Sequence, residues 1–140
     1  KVVIEFHGNT SMLLCLECAA RFPAREIDLD ILPPYCPLCN GLLKPGAIFF
    51  GEPIPQTALW QAQANAQQCR VMLIIGTSGA VEPVASLPFV AKEKGAYIIE
   101  INPEPSLLTP YATNLFLRGK AEKILPLILD NLHEKEWFAG

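Results

Sequence analysis

At 140 residues and 51% hydrophobic content, the chain can bury the core of one domain, with or without a small satellite module, which excludes a disordered tail. Its 11 basic and 14 acidic residues are dispersed, and a formal net charge of -3 leaves no basic footprint for nucleic acid or an anionic membrane surface. The longest apolar runs, residues 71–75 and 96–101, are strand-length and fall far short of the roughly 20 residues that span a bilayer.

No basic, apolar and small-residue succession of the secretory kind follows Lys1, so a cytoplasmic protein is expected. The first residues are already apolar and β-branched, with no initiator Met, and read equally as a fragment and as a complete chain. Residues 2–6 predict a short buried strand leading to His7-Gly8. Between the cysteines at 15 and 39, polar and apolar residues mix and run into Pro33-Pro34, which removes amide donors; loops and short strands are expected there. Pro45, Gly46 and Gly51 bracket Ile48-Phe49-Phe50, an extended apolar segment ending in a loop.

Residues 57–68, mostly Ala, Gln, Leu and Trp, predict a helix. The apolar run 71–75 stops at Gly76-Thr77-Ser78-Gly79, as expected of a strand covered on both faces and closed by a tight loop. A second helix follows, with Ser86 as its cap, Pro88 in its first turn and Gly95 as its terminator. Residues 96–101 predict a strand ending at Asn102-Pro103, and residues 115–117 another ending at Arg118-Gly119. A last helix over about residues 121–132 must take Pro126 in its first turn or kink there. His133, with Glu134, Lys135 and Glu136, reads as its solvated end.

Two C-x-x-C pairs, Cys15-Leu16-Glu17-Cys18 and Cys36-Pro37-Leu38-Cys39, flank residues 19–35 with the spacing of a zinc ribbon. Four thiolates complete the tetrahedron of one closed structural zinc ion, leaving no position for catalysis. Two disulfides or a redox pair are the rival readings; the first is disfavoured without a secretory signal, and the second does not require a second pair. Cys69, at the edge of a buried strand, reads as a small core residue. Alternating strands, loops and helices predict an α/β fold: a partial doubly wound, Rossmann-like parallel sheet bearing the zinc-ribbon module. Domain bounds of 1–10, 11–44 and 45–140 follow.

Ligands of open parallel sheets bind beyond the carboxyl ends of strands, where Gly76-Thr77-Ser78, Asn102-Pro103-Glu104 and Gly119-Lys120-Ala121 fall. Each triplet alone reads more readily as ordinary turn chemistry than as a nucleotide contact, and no G-x-G-x-x-G is present. His7 carries a side chain suited to proton transfer near neutral pH, and it reads as a general base or as a hydrogen-bonded structural histidine.

Taken in order, Phe6-His7-Gly8-Asn9, the cysteine pairs, the run from Lys44-Pro45-Gly46-Ala47 through Ile48-Phe49-Phe50-Gly51-Glu52, then Gly76-Thr77-Ser78, Asn102 and Gly119-Lys120-Ala121 resemble the sirtuin family. The resemblance runs from residue 3 to about residue 132 and implies an NAD-dependent protein-lysine deacylase that moves an acyl group from lysine to ADP-ribose. It makes His7 the general base for a ribose hydroxyl. It makes Cys15, Cys18, Cys36 and Cys39 the structural zinc ligands. Ile48, Phe49, Phe50 and Gly51 then line the acyl-lysine site and pair with the substrate peptide as an added strand, while Glu52 shapes the following turn. Gly76, Thr77, Ser78, Asn102, Pro103, Glu104 and Ala121 hold the adenosine half of NAD. The implied partners are NAD and an acyl-lysine protein or peptide, with no direct nucleic acid and no membrane.

Some family features lack counterparts: the Gly-Ala-Gly-x-Ser loop, the Pro-Asp-Phe-Arg segment and the Gln-Asn-x-Asp motif, which hold pyrophosphate and nicotinamide. The isolated chain is therefore expected to bind NAD weakly or not at all, and to be inactive. Gly46-Ala47 also departs from the family's usual acidic or amide residue followed by a branched one. A non-catalytic zinc- and nucleotide-binding module is the alternative, and a plain zinc-ribbon interaction domain leaves the strand-end loops unexplained.

Overall fold

The computed structural model describes residues 3–134, which divide into two units between Gln61 and Ala62. In the first, β1 (Gly8–Cys15) is the central strand of an antiparallel sheet, with β2 (Arg21–Pro23) on one side and β3 (Leu43–Ala47) on the other. Leu13 and Cys15 point from β1 into a small core completed by Cys36 and Leu43, with Phe22, Ala24 and Ile27 packed against it. Two of these four buried residues are cysteines of the paired motifs, so little apolar surface is left to stabilise the module without a cross-link.

β1 opens on Gly8, whose φ of +64° suits glycine. A Cβ added there would lie 2.1 Å from the Gly46 carbonyl oxygen on the neighbouring strand. Gly8→Ala is therefore expected to destabilise the protein by about 2 kcal/mol or more, by combining left-handed strain with a backbone clash. Urea denaturation of the two forms measures the difference.

The second unit is a parallel sheet in the order β4 (Val71–Ile75), β5 (Tyr97–Asn102), β6 (Leu115–Arg118). Helix α1 (Gln56–Gln68) begins in the first unit and ends in the second; α2 (Leu87–Glu93) joins β4 to β5, and α3 (Ala121–Glu134) follows β6. Ala66, Ile74, Ala91, Ala96, Ile98, Leu108 and Ala112 form the core, with Cys69 and Met72 packed against it. The expected α/β architecture with a parallel sheet is present. No described helix is long and apolar enough to cross a membrane.

Several local expectations change. Within the described part of residues 2–6 there is no strand; β1 starts only at Gly8, because Ile4 and Phe6 lie in an irregular lead-in closed by a turn, with the Phe6 amide on the Ile4 carbonyl and the Gly8 amide on the Glu5 carbonyl. β4 is not covered on both faces: Val71, Leu73 and Ile75 are exposed while Ile74 is buried. Ser86 stands at the start of α2 but does not cap it, its hydroxyl instead donating to Glu82 Oε2 at 2.6 Å. Pro126 lies inside α3, past the first turn, where it withholds the amide that would reach the Glu122 carbonyl. Lys135 and Glu136, read with His133 as a solvated end, lie outside the described residues.

Candidate functional site

Each cysteine pair sits on a tight turn, and the two turns repeat one pattern. The Ala19 amide bonds the Cys15 carbonyl and the Cys15 amide bonds the Ala20 carbonyl; the Asn40 amide likewise bonds the Cys36 carbonyl, and the Cys36 amide the Gly41 carbonyl. Ala19 and Asn40 take matching left-handed conformations, φ 57° and 59°. Amides of Cys18 and Leu38 point at Cys15 Sγ and Cys36 Sγ, at 3.5 and 3.4 Å.

The four sulfurs all lie within 4.8 Å of one another, with Cys15 to Cys39 at 3.5 Å and Cys18 to Cys36 at 3.7 Å. Zinc–sulfur bonds of about 2.3 Å place tetrahedral sulfurs about 3.8 Å apart, so the arrangement fits a single structural zinc ion held by Cys15, Cys18, Cys36 and Cys39. The spacing is too long for S–S bonds, and all four are free thiols. Donation from the Cys18 amide holds the Cys15 thiol down to about 7, against the opposing effect of burial. Cys39 is pushed up to about 12: its bond from the Gly41 amide lowers it, but the neighbouring sulfurs and desolvation outweigh that bond.

His7 is exposed on the turn before β1, its ring edge-on to Phe6 at 5.4 Å. Gly8 pairs with Ala47, and the Ile48 amide donates to the His7 carbonyl at 2.9 Å. These contacts bring His7 and the segment 48–51 side by side. Ile48 is half-buried, Phe49 exposed and Phe50 94% exposed, so the segment offers apolar side chains outward.

Its shape is held by a contact sequence reasoning missed. Lys44 Nζ donates to the Ala47 carbonyl at 2.9 Å and to Glu52 Oε2 at 2.7 Å, and lies 4.8 Å above the Phe49 ring. The same Glu52 oxygen accepts the Phe49 amide at 3.0 Å. Hydrogen bonding from Lys44 first, then from Phe49, holds the Glu52 carboxyl below its ordinary value. A carboxyl depressed on folding stabilises the fold above its unfolded pKa, and that contribution is lost as pH falls through the folded one. Glu52→Gln is expected to lower stability modestly at pH 7 and to flatten the acid limb of the stability profile, as read by denaturation at stepped pH.

In the second unit the strand-end loops are tied together. Gly76 donates its amide to the Ile101 carbonyl, Leu107 to Ser78, and Gly119 to Asn102. The Asn102 side-chain amide donates to the Thr77 carbonyl at 2.7 Å, and Arg118 Nε to the Pro103 carbonyl at 3.1 Å, while Arg118 also pairs with Glu104. Thr77 and Ser78 are exposed, with the Thr77 hydroxyl accepting the Gly79 amide at 3.3 Å, and nothing lies within 4 Å of the position a Cβ would take on Gly76, where φ is +62°. The exposed loop, open space beside Gly76 and clustered polar groups fit a nucleotide approaching the backbone. Ala121 stands half-buried at the start of α3. Asn102 is only 7% exposed, its amide group committed within the protein.

The Sir2 family model matches residues 1–83. An NAD-dependent protein deacylase of Aquifex aeolicus is 43% identical over 135 residues, covering 96% of this chain and 56% of its own length. Its counterpart in Pyrococcus furiosus is 42% identical over 137 residues, covering 94% and 54%. A solved Sir2 homolog–NAD complex is 34% identical with a TM-score of 0.89, over 96% of this chain and 52% of the other. Sir2Af2 bound to a myristoylated histone peptide gives 34% and 0.86, over 96% and 58%. The chain spans about half the length of the curated relatives it matches.

Proposed function

Because the chain belongs to the Sir2 family, we propose that it is the C-terminal portion of an NAD-dependent protein-lysine deacylase. The observation that carries this reading is the pairing of Gly8 with Ala47 and of the Ile48 amide with the His7 carbonyl, which sets an exposed imidazole beside the apolar segment that leaves β3 and turns at Phe50-Gly51. His7 is the general base, taking a proton from a ribose hydroxyl. Ile48, Phe49, Phe50 and Gly51 receive the acyl-lysine and its peptide by strand addition. Gly76, Thr77 and Ser78, with Asn102, Pro103, Glu104 and Ala121, form the cradle for the adenosine half of NAD. NAD, when bound, would supply a ribose carbon that loses nicotinamide as the acyl oxygen bonds to it, and a neighbouring ribose hydroxyl that takes up the acyl group.

Residues 1–10 then carry the base, 11–44 the zinc module, and 45–140 the C-terminal half of the nucleotide-binding domain. The names of the relatives and the bound NAD and acylated peptide of the structural neighbours support this assignment. Tracing the acyl group tests it: with an acetyl-lysine peptide and NAD, the natural gene product is expected to yield acyl-ADP-ribose and nicotinamide in equal amounts. Release of free acetate without nicotinamide would sink the proposal. The shortened match to the relatives keeps a second reading, a zinc- and nucleotide-binding module without catalysis, for which adenosine binding is indifferent to His7→Ala.

A further inference from the structure

Glu100 lies in the middle of β5 between Ile99 and Ile101 and is 0% exposed. A carboxylate in that position requires compensation, yet among the described residues no Lys, Arg or His pairs with it. Its partners are neutral donors. Oε1 accepts the Asn102 side-chain amide at 3.2 Å and the Ser106 backbone amide at 3.3 Å; Oε2 accepts the hydroxyls of Thr109 at 2.8 Å and Thr113 at 2.7 Å. Burial raises the acid's pKa, but the bonds from Ser106, Thr113, Thr109 and Asn102 outweigh it and keep the group ionised.

These four bonds have a common consequence. They fold residues 103–113 back onto the end of β5, and they orient Asn102 so that the same side-chain nitrogen reaches the Thr77 carbonyl at 2.7 Å. Through the Thr77 carbonyl the hold extends to the loop after β4, while Ser78 in turn accepts the Leu107 amide at 3.1 Å. One buried carboxylate thus links the two loops at the carboxyl edge of the sheet. No polar atom of it faces solvent.

We propose that Glu100 is a positioning residue for the nucleotide: without touching the ligand, it sets the spacing between the loop at residues 76–79 and the loop at residues 102–106 that flank the adenosine cradle. This rests on the nucleotide-binding part of the reading above. The hydroxyl partners at Oε2 predict how substitutions behave. In Glu100→Gln an amide NH2 can replace Oε2, because Thr109 and Thr113 can turn their lone pairs toward it. In Glu100→Ala the Thr109 and Thr113 hydroxyls lose their acceptor, while Asn102 and the Ser106 amide keep only their second partners, the Thr77 carbonyl at 2.7 Å and Thr109 Oγ1 at 2.8 Å.

The experiment is calorimetric titration of the natural gene product with ADP-ribose, beside steady-state kinetics for NAD and an acetyl-lysine peptide. Glu100→Ala is expected to weaken ADP-ribose binding and to raise KM for NAD by about tenfold or more, with kcat and peptide KM nearly unchanged. Glu100→Gln is expected to stay within about threefold of the parent. A purely structural role would lower the active fraction, and so kcat, with KM for NAD unmoved. That pattern, or ADP-ribose affinity equal to the parent's in Glu100→Ala, overturns the inference. Should Glu100→Ala fail to fold, Thr113→Val removes one Oε2 donor and is expected to shift the ADP-ribose affinity in the same direction; an unchanged affinity again overturns it. A parent that binds ADP-ribose yet deacylates nothing removes the proposed reaction and leaves this inference to be judged on affinity alone.

Discussion

Stripping zinc from the protein with a chelator, or replacing Cys36 by Ala, is expected to unfold residues 8–47 while leaving the parallel sheet of the second unit intact. The first unit's core has four buried members, and Cys15 and Cys36 are two of them. Ile31, Leu32 and Leu38 lie exposed in the same module, adding no burial. Zinc binding to such small folds is worth roughly 10 to 16 kcal/mol, far more than this core can supply, so metal binding and folding are one equilibrium. The second unit has its own core around Ile74, Ala91 and Ile98 and draws nothing from the thiolates. Amide hydrogen exchange checks both halves of the expectation: protection lost over β1, β2 and β3, and retained over β4 and β5. Protection of β1 that survives complete zinc removal would show that the apolar contacts suffice.

His7→Ala is expected to lower kcat for deacylation by roughly 10²- to 10⁴-fold, the usual contribution of a positioned general base. The imidazole is exposed and edge-on to Phe6, while the backbone of His7 makes the structural contact, its carbonyl accepting the Ile48 amide. Truncating the side chain therefore leaves the strand pairing and the zinc module in place, and the loss is in chemistry rather than folding. Steady-state kinetics with zinc content measured alongside separate the two. A variant that keeps its zinc and its kcat would return His7 to the role of a structural residue.

The cysteine turns were legible in the sequence because a C-x-x-C pair is complete within one turn, and the pairing of two such turns is imposed by the metal they fit. Strand-end loops were legible for a similar reason: Gly76 and its Thr and Ser neighbours interrupt an apolar run at a fixed place. What local pattern could not reveal is closure across the chain. Glu100 takes one partner, Asn102, at the two-residue spacing of its own strand, but the others come from six, nine and thirteen residues onward, in the loop beyond it. The one available signal was a charged residue inside an otherwise apolar strand, which demands buried donors wherever the chain can bring them. Lys44 and Glu52 meet across the turn that carries Phe49 and Phe50, and only the bend of that turn brings them together. Residues 2–6 mislead in the opposite sense, since β-branched composition expresses itself as strand only beside a partner.

The decisive measurement is turnover of an acetyl-lysine peptide by the natural gene product, with and without NAD, beside its His7→Ala variant. Turnover is expected only with NAD, and is expected to collapse in the variant. Equal turnover in the absence of NAD would rule out an NAD-dependent deacylase.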